Sequence, residues 1–171
     1  MVNNKIRNAT VCKGSSITFK SHLEKTIYHT LVEQGFTPEY EPKKIVLLKF
    51  DDCTVPFYDK ETDKQYQKRL EEEGKSPKLL NLKSNKMLPI TYTPDFYIRH
   101  NNIDVWIEAK GIENDVYYLK KKLFRRYLEN QAKKGIKSIF FEVYSKRQLF
   151  QSIEIFKQYA EECNKGTDKG S

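Results

Sequence analysis

The amino-acid sequence predicts an α/β (α+β) domain in which a central mixed sheet is flanked by helices. Three observations predict this fold. The first is four segments that have helical spacing of apolar residues or end at a helix-stopping glycine. The second is that these segments alternate with short runs of β-branched and aromatic residues. The third is the size and composition of the chain. The chain has 171 residues, of which 38% are apolar and 13% aromatic, enough to bury one core.

The first predicted helix is indicated by the spacing of its apolar residues. Residues 1–19 show no periodicity and predict a basic flexible arm. Leu23, Ile27 and Leu31 recur at every fourth position, which predicts an amphipathic helix that Gly35 ends. The expected elements are a helix at 21–34, a strand at 39–50, a helix at 62–73, strands at 90–99 and 103–110, a helix at 114–134, a strand at 136–144 and a helix at 146–162.

A charged insertion follows the first predicted strand, which is centred on the apolar run Ile45–Leu48. Residues 51–86 carry balanced charge, and the short helix within them is closed by Gly74 and Pro77. The sequence therefore predicts one domain over 20–162, interrupted by this insertion.

The second half of the domain begins with a hairpin. Its two strands are separated only by His100, Asn101 and Asn102, a polar connection typical of a tight turn. The long helix that follows ends at Gly135, and the last helix carries an apolar stripe before the polar tail at 163–171.

Positive charge is concentrated in one part of the chain. Ten basic and two acidic residues lie between Lys120 and Arg147, a net charge of 10 − 2 = +8, which equals the net charge of the whole chain. Such clustering attracts polyanions and predicts a DNA partner, although a solvated helix face gives the same pattern. The residues predicted to contact DNA are Lys120, Lys121, Lys122, Arg125, Arg126 and Lys133.

Other classes are disfavoured by composition. Cys12, Cys53 and Cys163 form no CxxC pair, so neither a zinc knuckle nor a disulfide framework is indicated. No segment has the roughly 18 apolar residues that a membrane span needs. We therefore expect a cytoplasmic protein with no membrane partner.

The candidate chemistry lies on the predicted hairpin. Because side chains alternate along a strand, Glu108 and Lys110 project from one face at its end. Asp95 follows Pro94 on the adjacent strand, and a bend at the proline would aim its carboxylate at the same place. The opposite face of the second strand carries Val105, Ile107 and Ala109.

Two carboxylates and an ammonium group at one sheet edge suit phosphodiester hydrolysis. Carboxylate oxygens hold Mg²⁺ and leave positions for water and phosphate. A bound metal activates water, which Lys110 can orient or deprotonate. Gly111 leaves room for a phosphate. The alternative is a surface ion pair between Glu108 and a lysine, worth under about 1 kcal/mol.

These residues resemble a known superfamily. The strings TYTPDF (91–96) and IEAKG (107–111), together with FKSHLEKTIYHTLVEQGFTPEYEP (19–42), resemble the PD-(D/E)XK nucleases. The similarity is closest to the phage-type endonuclease I family of Holliday-junction resolvases, and it covers residues 19–145 apart from the insertion. It implies a restriction-endonuclease-like core.

The resemblance also implies residue roles. Glu24, Asp95, Glu108 and the carbonyl of Ala109 would hold Mg²⁺, with Mn²⁺ as a substitute, and Lys110 would be the catalytic lysine. Glu24 is itself predicted to be catalytic in this way. The expected enzyme is a homodimeric endonuclease that cuts four-way or branched DNA and leaves 5′-phosphate ends.

Alternatives remain for Glu24 and for the function. Ser21 and Glu24 also fit an S-x-x-E capping box, in which the glutamate binds the start of the helix. The same motifs are compatible with another PD-(D/E)XK branch that cuts linear duplex (restriction-like, transposase-end or repair), and with a non-catalytic nucleic-acid-binding module of the same fold. A structural protein with a solvated basic face is the weakest alternative.

Overall fold

The computed structural model describes residues 10–11, 17–50, 60–76, 87–111 and 115–165. Within these ranges the chain forms eight strands and four helices. In order they are β1 (Thr10–Val11), β2 (Thr18–Phe19), α1 (His22–Glu33), β3 (Glu39–Tyr40), β4 (Ile45–Leu48), α2 (Lys60–Glu72), β5 (Ile90–Tyr92), β6 (Phe96–His100), β7 (Ile103–Ala109), α3 (Asp115–Ala132), β8 (Lys137–Val143) and α4 (Lys146–Lys165).

The chain divides into two compact units. One comprises 1–47 with 91–171, and the other comprises 48–90. The second unit contains the predicted insertion, and its described helix α2 matches the predicted one within two residues. Gly74 has a φ of +65° just beyond this helix, which agrees with its predicted role as a helix stop.

A four-stranded sheet forms the centre of the first unit. Its strand order is β3–β6–β7–β8. The pairs β3/β6 and β6/β7 are antiparallel, whereas β7/β8 is parallel and is connected through α3. The α+β fold with a mixed sheet and the hairpin are therefore confirmed. Asn101 and Asn102 form the hairpin turn with φ of 49° and 60°, which suits a primed turn.

The two faces of β7 are buried against different partners. Val105 and Ile107 belong to a core cluster that includes residues of α1 and α4. Trp106 belongs to a second cluster with Tyr117 and Phe124 of α3. This is the alternation predicted for the strand, and it leaves Glu108 on the face that α3 covers.

Two predicted strands are each broken into two. The strand expected at 39–50 is β3 and β4, and the one expected at 90–99 is β5 and β6. β4 and β5 pair in a separate two-stranded sheet. Glu41 turns the first strand with a φ of +44°, and the fully buried Pro94 interrupts the second, because proline offers no N–H to a ladder.

The predicted flexible arm contains ordered structure. Thr10–Val11 pairs antiparallel with Thr18–Phe19, and Phe19 is fully buried in the core. Phe19, the last residue of the predicted arm, is therefore part of the core cluster that residues of α1 and α4 also form. The remainder of the predicted arm, together with Cys12, Cys53, Pro77 and residues 166–171 of the tail, lies outside the described residues.

The other helices agree with prediction within a few residues. Gly35 and Gly135 have φ of +82° and +81° just beyond α1 and α3, as expected for residues that end a helix. No helix among the described residues is long and apolar enough to cross a membrane.

Candidate active site

Glu108 and Lys110 meet at the carboxyl end of β7, as predicted. Glu108 is buried, with 6% of the residue's surface exposed, and its Oε1 lies 2.8 Å from Nζ of Lys110. The Tyr92 hydroxyl donates a hydrogen bond to Oε2 of the same carboxylate. The N–H of Lys110 donates to the carbonyl of Val143 at 2.9 Å, so the backbone of the lysine is held against β8.

Asp95 lies beside this pair, at the point where the chain passes from β5 to β6. Its Oδ2 accepts a hydrogen bond from the N–H of Ala109 at 2.7 Å. Its carbonyl accepts one from the N–H of Glu41 at 2.8 Å. Both bonds fix the position of Asp95, and the bend at Pro94 places it next to the end of β7, as the sequence predicts.

The carboxyl group of Asp95 has an unusual environment. Burial raises its pKa from 3.8 to about 8, and the negative charges of Glu108 and Glu24 add to this effect. The hydrogen bond from Ala109 and the charge of Lys110 act in the opposite direction without cancelling it. This carboxyl group therefore holds its proton more readily than an exposed aspartate does, and a bound cation would favour its ionised form.

Glu24 is held at the start of α1. Its Oε1 accepts a hydrogen bond from the Ser21 hydroxyl at 2.8 Å, and its backbone N–H donates to that hydroxyl oxygen at 3.1 Å. Its Oε2 accepts hydrogen bonds from the backbone of Lys20 at 3.0 Å and from the Tyr40 hydroxyl at 2.6 Å. The capping role is therefore present, in a variant whose backbone donor is the residue before the N-cap.

The donor set can be tested for its fit to Mg²⁺. Among the described residues, no group of three or more His, Cys, Asp and Glu side chains is arranged to hold a metal ion. Mg²⁺ nevertheless needs only one or two protein carboxylates, because it keeps several waters. Asp95 and Glu108 supply hard oxygen donors at one buried corner, so these two residues fit the ion, with the Ala109 carbonyl as the expected third donor. Glu24 contributes charge to this corner while its two oxygens cap α1.

Sequence reasoning missed a set of tyrosines that surrounds these acids. Tyr40 binds Glu24, Tyr92 binds Glu108, and the Tyr117 hydroxyl donates to Oε1 of Glu142. Burial is the main cause that raises the pKa of each tyrosine. Each hydroxyl therefore stays protonated and donates a hydrogen bond to its carboxylate. Tyr92 lies inside the TYTPDF string and could have been noticed there.

Glu142 could be recognised as part of this site only once the pairing of the strands was known. It lies on β8 directly opposite Glu108 in the parallel register. Its carboxylate accepts hydrogen bonds at 3.0 Å on both oxygens from Lys121 of α3. No sequence pattern within one strand reports its partner in another.

The basic helix α3 differs in one respect from the predicted stripe. Lys122, Arg125, Arg126 and Lys133 are exposed, as expected of a DNA-binding surface, and Lys120 is half-buried. Lys121 is also half-buried, because Glu142 and the rings of two tyrosines hold it. A groove of about 710 Å³ lies beside these residues, between α3 and β8, and its lining includes Lys121, Arg125 and Glu142 but not Asp95, Glu108 or Lys110.

Comparisons with protein-family models, curated proteins and solved structures gave no match.

Proposed function

We propose that this protein is a Mg²⁺-dependent DNA endonuclease of the PD-(D/E)XK class, with a restriction-endonuclease-like core. The observation that carries the proposal is that Asp95, Glu108 and Lys110 lie together at one corner of the sheet. Nζ of Lys110 is 2.8 Å from Oε1 of Glu108, and the pKa of Asp95 beside them is raised to about 8. A buried acid with a strongly shifted pKa beside a second acid is typical of functional sites.

The residues at this corner divide the work of hydrolysis. Asp95, Glu108 and the Ala109 carbonyl would hold Mg²⁺, which supplies Lewis acidity that makes water easier to deprotonate and offsets phosphate charge. Lys110 orients the attacking water. The water oxygen bonds to phosphorus and one water proton leaves to solvent. The bond from phosphorus to the 3′ oxygen breaks, and that oxygen takes a proton, so the products are a 5′-phosphate and a 3′-hydroxyl.

Two further acids, Glu142 and Glu24, would not bind the cation directly. Glu142 is neutralised by Lys121, with both carboxylate oxygens engaged at 3.0 Å. Glu24 is engaged by three donors at the start of α1. Asp95 and Glu108 lie together at the end of β7, beside the Ala109 carbonyl, so they are the proposed ligands of the cation, and Glu24 would act through its negative charge.

DNA would be held by α3. Its exposed basic side chains can contact phosphates, and such contacts position the DNA backbone without reading the base sequence. This suits an enzyme that recognises the shape of a junction. We propose branched DNA as the substrate and a homodimer as the active form, because opposite strands of a junction must both be cut.

Replacing Arg125 and Arg126 together by Ala should weaken DNA binding and flatten its salt dependence. Each phosphate contact contributes about 0.9 to the slope of log K against log salt, so the slope should decrease by about 2. Fluorescence anisotropy over a salt series measures it. The matched control is the double change of Lys68 and Lys157 to Ala, which removes two exposed cations outside α3. An unchanged slope in the α3 variant would exclude this helix as the DNA surface.

The function is tested by incubating the protein with Mg²⁺ and four DNA substrates: a four-way junction, a flap, a linear duplex and a single strand. We expect the junction to be cut fastest, with 5′-phosphate ends, and Asp95→Asn to lose most of this activity. Equal rates on junction and linear duplex would favour another branch of the superfamily. Binding without cleavage of any substrate would favour the non-catalytic module.

A further inference from the structure

Lys110 has a second contact besides its ion pair. Its Nζ lies 3.4 Å from the centroid of the Tyr117 ring, well within the distance at which a cation is attracted to an aromatic face. Tyr117 is buried, with 6% of its surface exposed, and lies in the core cluster that contains Trp106 and Phe124. The ring therefore forms a fixed wall beside the ammonium group.

The orientation of this ring is itself fixed from the neighbouring strand. The Tyr117 hydroxyl donates to Oε1 of Glu142, and Lys121 binds both oxygens of that carboxylate at 3.0 Å. Glu142 stands opposite Glu108 in the β7/β8 register. One strand thus presents the acid that pairs with Lys110, and the next presents the acid that orients the ring beneath it.

We propose that Tyr117, oriented by Glu142, is a positioning residue that holds the ammonium group of Lys110 at the catalytic corner. A lysine has a flexible four-carbon stem, and its ammonium group is a point charge without a preferred direction. The ion pair with Glu108 restrains the distance of Nζ from one oxygen, whereas the ring restrains the side from which Nζ approaches. The kinetic consequence of this inference rests on the proposed nuclease function, but the contact itself does not.

A merely structural role for Tyr117 would have different consequences. Packing in the core cluster would lower the free energy of unfolding on substitution and leave Lys110 unaffected in the folded protein. A positioning role requires that Lys110 moves when the ring is removed. The two roles are separated by observing Lys110 directly and by comparing variants that keep or remove the ring.

The first test observes the ε-methylene group of Lys110 in ¹H–¹³C NMR spectra of the full chain without metal or DNA. In the wild type the ring current of Tyr117 should shift its protons upfield, and the signal is assigned by its loss in Lys110→Met. Tyr117→Leu should abolish the shift, whereas Tyr117→Phe and Glu142→Ala should each reduce it, because both remove the hydrogen bond that orients the ring. The control Phe150→Leu removes an exposed ring on α4 that contacts Lys146, and it should leave the signal unchanged.

The second test measures cleavage at saturating Mg²⁺. Tyr117→Leu should lower kcat about 100-fold, because misplacement of a reacting group by about 1 Å has an effect of this size. KM for DNA should change less than about threefold, because the exposed side chains of α3 are unaltered. Tyr117→Phe, which keeps the ring but loses its hydrogen bond to Glu142, should lower kcat less than Tyr117→Leu does, and Phe150→Leu should retain the wild-type rate. Thermal unfolding of each variant checks that it is folded at the assay temperature.

The outcomes separate the inference from the function. A wild-type Lys110 signal without an upfield shift, or a shift that survives Tyr117→Leu, would overturn the positioning role whether or not DNA is cut. A wild-type kcat in folded Tyr117→Leu would overturn it as well. A shift unchanged in Glu142→Ala would remove Glu142 from the proposal. Absence of cleavage by the wild type, together with a normal ring-current shift, would instead reject the nuclease function.

Discussion

Replacing Asp95 by Asn or Lys110 by Met should reduce DNA cleavage about 1000-fold. Each change removes a charge next to the reacting phosphate, and losses of this size are common when such groups are removed from hydrolytic sites. Asn keeps the size of Asp95, and Met keeps the length of the Lys110 stem, so the core around them is preserved. The measurement is the single-turnover rate on the preferred substrate at saturating Mg²⁺.

DNA binding should persist in both variants. The exposed cations of α3 are not altered, and phosphate contacts supply most of the affinity of a sequence-independent DNA-binding protein. The matched controls are Asp115→Asn and Lys157→Met, which remove one acid and one lysine from exposed positions and should cut at the wild-type rate. Undiminished cleavage by either site variant would exclude the proposed site. Loss of binding parallel to loss of cleavage would show that these residues act on affinity.

The fold was predictable where the signal is local. Helix ends follow from Gly35, Gly74 and Gly135, which all take positive φ. The two faces of β7 follow from alternation, because a strand between two layers must bury both sides. These features depend on a few residues that are close together in the sequence, so the sequence alone predicts them.

The breaks in two strands were not predictable in the same way. Glu41 and Pro94 are far apart in sequence, yet both lie where the chain passes between the four-stranded sheet and the β4/β5 sheet. The N–H of Glu41 donates to the carbonyl of Asp95 at this crossing. A proline signals a possible bend, but which sheet each half joins depends on long-range pairing. The bend is what brings Asp95 beside Glu108.

In the candidate site, too, contacts between residues close in sequence were predictable and contacts between distant residues were not. Glu108 and Lys110 could be paired from their spacing in one strand, and the structure pairs them. Lys121 was grouped with the DNA-binding stripe by helical spacing, whereas Glu142 draws it inward. That outcome depends on the parallel register of β7 and β8, which sets Glu142 opposite Glu108. Spacing along one helix cannot report a charge on a strand behind it.

The free energy of unfolding should carry an unfavourable contribution from Asp95 that grows as the pH rises. Its pKa is about 8 in the folded chain and 3.8 ordinarily. Between these values the folded protein holds a proton that the unfolded chain has released, so folding becomes less favourable with rising pH. This contribution is absent below about pH 4 and complete above about pH 8. Its slope approaches about 1.4 kcal/mol per pH unit, the value for one proton.

Mg²⁺ should oppose this loss. A cation that binds the ionised Asp95–Glu108 pair only in the folded state adds to the free energy of unfolding by mass action, and the addition should be largest where Asp95 is ionised.

Denaturant unfolding of the wild type and Asp95→Asn, with and without Mg²⁺ across about pH 5 to 8, isolates the effect, because other titrating groups are common to both proteins. We expect Asp95→Asn to be the more stable protein at the upper end and to show no gain from Mg²⁺. A wild type whose stability relative to Asp95→Asn is independent of pH would mean that the carboxyl is ionised throughout at little cost. The raised pKa of Asp95, which supports the proposal of a functional site at this corner, would then be absent.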